Sequence, residues 1–211
     1  MLKSSVTILF FCFALVLNAQ PKGFKNSSDE AAFRNKFAAT AATTHSIKST
    51  FVQEKNMTVL SEKIVSKGEF YFKKPNMVRM EYMSPFKYLM VINKDKVTIR
   101  DSQKTNTFSA KNNKLFELIN QIIIDCVQGT ALNNKNFSAK ILESDKFYLL
   151  SLTPLKKELK EYFAAINIYI DKKDYAVHKM DMLEPSGDNT VITFENKQYN
   201  VQIPDAVFTV K

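Results

Sequence analysis

The sequence predicts an α+β fold: an incomplete, strongly curved antiparallel sheet or open barrel of about nine to eleven strands, with about three helices on one face. Three observations carry this expectation. Most of the chain beyond residue 46 alternates apolar and polar residues with period two, as antiparallel strands with one dry and one wet face do. Short turn segments separate these runs, which favours up-and-down connections. Two stretches, near residues 28–44 and 112–128, instead repeat apolar residues at three- and four-residue steps, the spacing of amphipathic helices. Such helices need an apolar sheet face to cover.

Composition narrows the function classes. A chain of 211 residues is one domain's worth. Hydrophobic residues at 45% against 24% charged exclude a wholly disordered chain. With 4 Gly and 6 Pro, collagen-like and low-complexity classes are out. Two Cys and two His supply neither a Cys/His zinc site nor a disulfide framework. The Gly-rich phosphate cradles of dinucleotide and P-loop sites do not occur. No cofactor and no metal are expected.

Residues 1–19 read as a secretory signal peptide. Lys3 gives a positive start, residues 6–17 are apolar apart from Thr7, and Leu17-Asn18-Ala19 places a small residue at the cleavage position. The apolar run is shorter than the roughly 20 residues a membrane span needs. Lipid attachment at Cys12 is disfavoured, because bulky Phe11 precedes it and the apolar run continues beyond it. Export leaves residues 20–211 as a single domain outside the cytoplasm. Cys126 is then the remaining cysteine, and its apolar surroundings suit an inert core thiol.

A polar linker covers residues 20–26. Ser27-Ser28-Asp29-Glu30 has capping-box spacing, and Phe33, Phe37 and Ala41 follow at helical steps, so a helix is expected over 28–44. Ile47 and Phe51 then share a face in a strand at 47–53. Ile64, Gly68, Phe70 and Phe72 lie on one face of the next strand, with Lys63, Lys67, Glu69 and Lys73 on the other. Pro75-Asn76 marks a turn, after which Val78, Met80 and Tyr82 alternate with Arg79 and Glu81. Pro85 interrupts, 88–92 resumes, and Asn93-Lys94-Asp95 is a hairpin turn into 97–100.

Over 112–128, Leu115, Phe116, Leu118, Ile119, Ile122, Ile123 and Cys126 outline a helix with a wide apolar face. The β-branched run Ile122-Ile123-Ile124 also suits a strand. Further strands are expected at 139–142, 147–152, 162–170, 175–183, 191–199 and 207–210. Asp171-Lys172-Lys173-Asp174 and Pro185-Ser186-Gly187-Asp188 read as turns, and 156–160 as a mixed-charge hairpin loop. His45 and His178 lie far apart with no nucleophile motif near either, so both read as structural.

These residues resemble a known family. Phe51 followed by Gln53 in the first long strand is similar to a motif of periplasmic outer-membrane lipoprotein carrier proteins, the LolA family. The run from Gly68 through Phe70, Phe72, Lys74-Pro75-Asn76 and Val78 to Tyr82 resembles that family's signature: a glycine, an aromatic strand, a basic-Pro-Asn turn, then a further strand. Pro85 and the segment 204–209, taken as the last strand, match as well. There are three departures. Met80 stands where the family commonly has Trp. Lys74 stands where the family has a lid-latching arginine. No Pro-rich extension follows the last strand.

The resemblance implies an open barrel whose gap is closed by a helical lid over an apolar cavity. It implies a carrier, not an enzyme, that shields lipoprotein acyl chains across the periplasm. Cargo would come from an inner-membrane ABC-type lipoprotein-releasing complex and pass to an outer-membrane acceptor protein or membrane. A monomer is expected. Suitable cavity walls are Phe37, Phe51, Phe70, Phe72, Val78, Met80 and Tyr82; Leu115, Leu118, Ile119 and Ile122; and Ile168, Ile170, Met180 and Met182. Methionines suit a site that receives varied chains. Lys74 would be the lid latch.

Other readings stay open on the residues alone. Aromatic and Met stripes on strands also fill solid cores. The same fold could carry another lipid or hydrophobic product, or hold an intermediate for an enzyme, which would need convergent polar groups in the cavity. The expected inward positions are apolar apart from Ser66 and tyrosine hydroxyls, which favours carriage. The net charge of +9 suits anionic membrane surfaces or an ordinary solvated exterior. Export and the lack of a recognition motif argue against nucleic acid.

Overall fold

The structure is a computed structural model and describes residues 21–59 and 62–210. The signal-peptide reading of 1–19 lies outside the described residues. The order is β1 (Lys25–Asn26), α1 (Glu30–Thr43), β2 (Ser46–Met57), β3 (Glu62–Lys73), β4 (Met77–Ser84), β5 (Tyr88–Asn93), β6 (Lys96–Arg100) and β7 (Thr105–Ser109). Then follow α2 (Lys114–Gln128), β8 (Phe137–Glu143), β9 (Phe147–Pro154), α3 (Lys157–Lys160), β10 (Ala165–Asp171), β11 (Val177–Leu183) and β12 (Asn189–Tyr199).

All twelve strands form one antiparallel sheet, ordered β1-β8-β9-β10-β11-β12-β2-β3-β4-β5-β6-β7. Two meanders, β2–β7 and β8–β12, are joined where β12 pairs with β2. The outermost strands, β1 and β7, do not pair with each other, so the barrel stays open. Register shifts interrupt β3–β4, β10–β11 and β12–β2; bulges of this kind bend a sheet. At the first of them stands Gly68. A Cβ there would sit 2.1 Å from the Glu81 carbonyl oxygen and 2.7 Å from the Phe51 ring. The bend therefore needs glycine.

Several expectations need correction. Among the described residues there are twelve strands, one more than the upper expectation. β1 has two residues and β7 is mostly exposed, so neither carries an apolar alternation to read. The expected last strand is a 3-10 turn over Asp205–Phe208. Ile203 and Phe208 pack on Leu89 and Val91, on the face away from α1 and α2. Arg79 holds this tail by donating to the Val207 carbonyl at 3.0 Å. The expected loop at 156–160 contains the short helix α3, because Leu159 is buried. The capping box also fails. Asp29 caps α1 by accepting from the Ala32 N–H at 2.8 Å, while the hydroxyl of Ser27, the expected cap, has no hydrogen-bond partner among the described residues.

The face covered by α1 and α2 carries two packed clusters. One joins Phe33 and Phe37 to Leu150, Ile166, Ile168 and Ile170. The other joins Phe51, Phe72, Val78, Ile92 and Val97. α1 sits over the first cluster. Its Phe33 ring lies 4.4 Å from that of Tyr148. α2 bridges both, with Leu118, Ile122 and Cys126 in one and Phe116, Ile123 and Val127 against the other.

Candidate functional site

Between these clusters, both of which Met182 and Phe194 touch, a cavity of about 110 Å³ remains. One water needs roughly 10–15 Å³ on the same measure. The floor comes from the sheet: Ile47 on β2, Phe70 on β3, Met80 on β4, Met180 and Met182 on β11, and Ile192 and Phe194 on β12. The roof comes from Phe37, Thr40 and Ala41 of α1, and from Ile119, Ile122, Ile123, Cys126 and Val127 of α2. The walls are overwhelmingly apolar. Burial pushes the Cys126 thiol up to about 12, so it stays protonated and unreactive at neutral pH.

The two roof helices approach closely. α2 ends at Gly129, which has φ 71 and bonds back to the helix carbonyls, the usual role of glycine just past a helix. A Cβ at Gly129 would sit 3.0 Å from both Ala38 Cα and Ala41 Cβ. Glycine therefore serves twice, for its positive φ and for its lack of bulk against α1.

The C-terminal end of α1 is tied to the sheet. Lys74 Nζ donates to the Ala41 carbonyl at 2.9 Å and the Ala42 carbonyl at 3.1 Å. Asn200 Nδ2 donates to the Thr43 carbonyl at 3.0 Å. The last carbonyls of a helix lack internal partners and carry partial negative charge, so a cation there is favourable. The last turn of α1 has no basic residue of its own; Lys74 supplies the charge from the β3–β4 turn.

Ser49 on β2 and Lys197 and Tyr199 on β12 form one polar corner of the cavity; Thr40 on α1, Thr44 at its C-cap and Tyr175 also border it. Lys197 Nζ lies 3.0 Å from Asp174 Oδ2. That carboxylate also accepts from Tyr199 Oη at 2.9 Å and from the Ala176 N–H at 3.0 Å. Burial would raise the Asp174 pKa, but Lys197 and these donors outweigh it and hold it below the usual aspartate range. Burial, reinforced by Asp174, pushes the Tyr199 phenol well up.

Of the residues expected on the cavity wall, Phe37, Phe70, Met80, Ile119, Ile122, Met180 and Met182 border it. Phe51, Phe72, Val78, Leu118, Ile168 and Ile170 lie instead in the packed clusters beside it. Tyr82 packs edge-on against Phe51 and donates to Gln53 Oε1 at 2.8 Å. The Leu115 side chain lies outside the described residues. Ser66 does not border the cavity, and His178 stacks on Phe147 at 5.1 Å.

Sequence reasoning missed Ser49, Phe194, Lys197 and Tyr199. A signal was present. Phe194 and Tyr199 both face inward although one number is even and the other odd, and such a parity change requires a bulge between them.

A family model described as outer membrane lipoprotein carrier protein LolA matches residues 42–211. No curated protein matches. Among solved structures, MucB is similar with TM-score 0.51 and 14% identity, covering 88% of this chain and 64% of that one. A DUF1329 family protein from Desulfovibrio piger gives TM-score 0.50 and 15% identity, over 84% of this chain and 96% of that one. An uncharacterized conserved protein from Thermus thermophilus gives TM-score 0.50 and 10% identity, over 84% and 90%. At these identities the structural likenesses speak for the fold alone. The family match spans most of the sequence, and on that ground the chain belongs to the LolA family of lipoprotein carriers.

Proposed function

We propose that this protein is a periplasmic carrier that shields lipoprotein acyl chains in the cavity under α1 and α2, and ferries lipoproteins from the inner to the outer membrane. The observation that carries this reading is the apolar cavity itself, set between two helices and a sheet in a chain of this family. Burying one methylene contributes about 0.8 kcal/mol, so a long acyl chain gains on the order of 10 kcal/mol. Binding is then easy and release is the difficulty. Closure of the roof on an empty cavity competes with cargo. The Lys74 and Asn200 contacts to the α1 carbonyls favour that closed state.

In this reading, cargo arrives from an inner-membrane ABC-type releasing complex and leaves to an outer-membrane acceptor protein or membrane. The cavity presents one charged side chain and a few hydroxyl-bearing residues in walls that are otherwise hydrocarbon, which suits holding a chain more than transforming it.

The test is release from spheroplasts of the native organism. Adding the purified protein should free membrane-anchored lipoproteins into the medium as soluble one-to-one complexes. Lipoproteins that stay on the membrane at every protein concentration would contradict the reading.

A further inference from the structure

β12 carries the one charged side chain among the described residues that border the cavity, and a bulge puts it there. Pairing with β2 runs to Glu195↔Thr50 and resumes at Gln198↔Lys48, so Asn196 and Lys197 together oppose Ser49. Asn196 takes the left-handed conformation, φ 53, which asparagine tolerates better than most residues. Its amide donates to Thr50 Oγ1 at 3.0 Å, on the face away from the cavity. Lys197 is thereby turned inward.

The corner has an imbalance of donors and acceptors. Asp174 is met by two hydrogen bonds, from Tyr199 and the Ala176 N–H, and by the Lys197 charge. Lys197 makes no hydrogen bond of its own among the described residues. Its side chain is 14% exposed and its ion pair with Asp174 is close, yet no acceptor among the described residues is aligned for a hydrogen bond to Nζ. Ser49 is 3% exposed, and its hydroxyl likewise has no partner among the described residues. Buried polar groups are normally satisfied, and an unmet one calls for an explanation. Here the unmet donors belong to residues that border a hydrocarbon cavity. What they lack is a set of acceptor oxygens arriving with an apolar chain.

We infer that Lys197 and Ser49 form a head-group subsite that binds the carboxylate or carbonyl oxygens at the polar end of an acyl ligand. The inference rests on the cavity reading above and adds an orientation to it: the chain lies along the Met and Ile walls with its oxygenated end at β12. Those oxygens have two sources, the carboxylate of a free fatty acid or the ester or amide carbonyl of an acylated molecule.

The test uses three probes on the delipidated protein: diphenylhexatriene, which is hydrocarbon only, and palmitate and methyl palmitate, measured by its displacement. Lys197→Met should weaken palmitate by about tenfold or more and leave diphenylhexatriene within about twofold. Ser49→Ala, which removes an unpartnered hydroxyl and spares the fold, should weaken palmitate by about threefold. Lys197→Arg should restore much of the loss. A fall for palmitate alone assigns the subsite to a carboxylate; equal falls for palmitate and methyl palmitate assign it to an acyl carbonyl. Unchanged palmitate binding in both variants, or a parallel loss of all three probes, would overturn the inference while leaving the cavity reading in place. Failure of the wild-type protein to bind diphenylhexatriene would overturn both.

Discussion

Val78 and Met80 lie two residues apart on one strand and point to the same face, yet they border different kinds of interior. Val78 stands in a cross-strand row with Phe72 and Ile92, and Ile92 continues to Val97. That cluster also takes in Phe108 and Ala110, from the segment leading into α2, and Phe116 of α2 itself, and Val78 is fully buried in it. Met80 stands in the next row, between Phe70 and Met90. Above that row the two roof helices leave a gap, and Met80 borders the cavity. Alternation fixes the face a residue points to. What covers that face decides whether it becomes solid core or wall.

The largest effect should come from a charge placed in the solid row. Val78→Glu buries a carboxylate with no cationic partner in its cluster, at a cost of several kcal/mol. Chemical denaturation should show loss of most of the folded population. A folded Val78→Glu protein that merely bound less ligand would mean the row is not packed solid.

Lys74→Leu comes next. A hydrogen bond to a charged donor contributes about 1.5–3 kcal/mol, and Lys74 makes two to the end of α1. Part of that loss falls on roof closure, with Asn200 retaining its own tie. Affinity for acyl cargo should rise about tenfold and handover to acceptor membranes should slow. Wild-type affinity and transfer rate would make Lys74 a structural turn residue only.

Met80→Trp sharpens the comparison from the other side. The cavity can accept part of the larger ring, so stability should change by less than about 1.5 kcal/mol, while diphenylhexatriene capacity falls. The same enlargement at Val78 should cost about 1–3 kcal/mol through overpacking. Equal penalties at both positions would erase the distinction.

The smallest effect concerns the start of α1. Glu143 accepts from Lys172 at 3.1 Å, and from the Ser28 N–H at 3.2 Å and hydroxyl at 3.0 Å. Lys172 first and Ser28 second hold its carboxyl below the usual glutamate range. The stabilisation is present above that range and is lost as pH falls through the lower folded value. Glu143→Gln should therefore melt below wild type at pH 7, and the difference should shrink as both are acidified below the glutamate range. A gap that widens with acid would give the linkage the wrong sign.

Much of the sheet was legible because half-buried strands and tight turns leave period-two runs bounded by Pro, Asn and Asp, as at Lys74-Pro75-Asn76. The 3-10 turn at Asp205–Phe208 was not, since the run Val207-Phe208-Thr209-Val210 has the β-branched and aromatic composition of a strand. The cavity was legible only in part. Met180 and Met182 border it, while Ile168 and Ile170, on the neighbouring strand and the same face, are packed away beneath α1. Periodicity carries no information on where two helices leave a gap. Lys197 escaped because a single bulge reverses the face of every residue after it.

Under the proposed function, the cavity carries the acyl chains of lipoproteins. The most direct measurement is mass spectrometry of the protein isolated without detergent from cells of its own organism. The expected result is one acylated polypeptide per carrier, with a larger loaded fraction in Lys74→Leu. A carrier that is always empty, or that holds only a non-acylated partner on its surface, would contradict the claim.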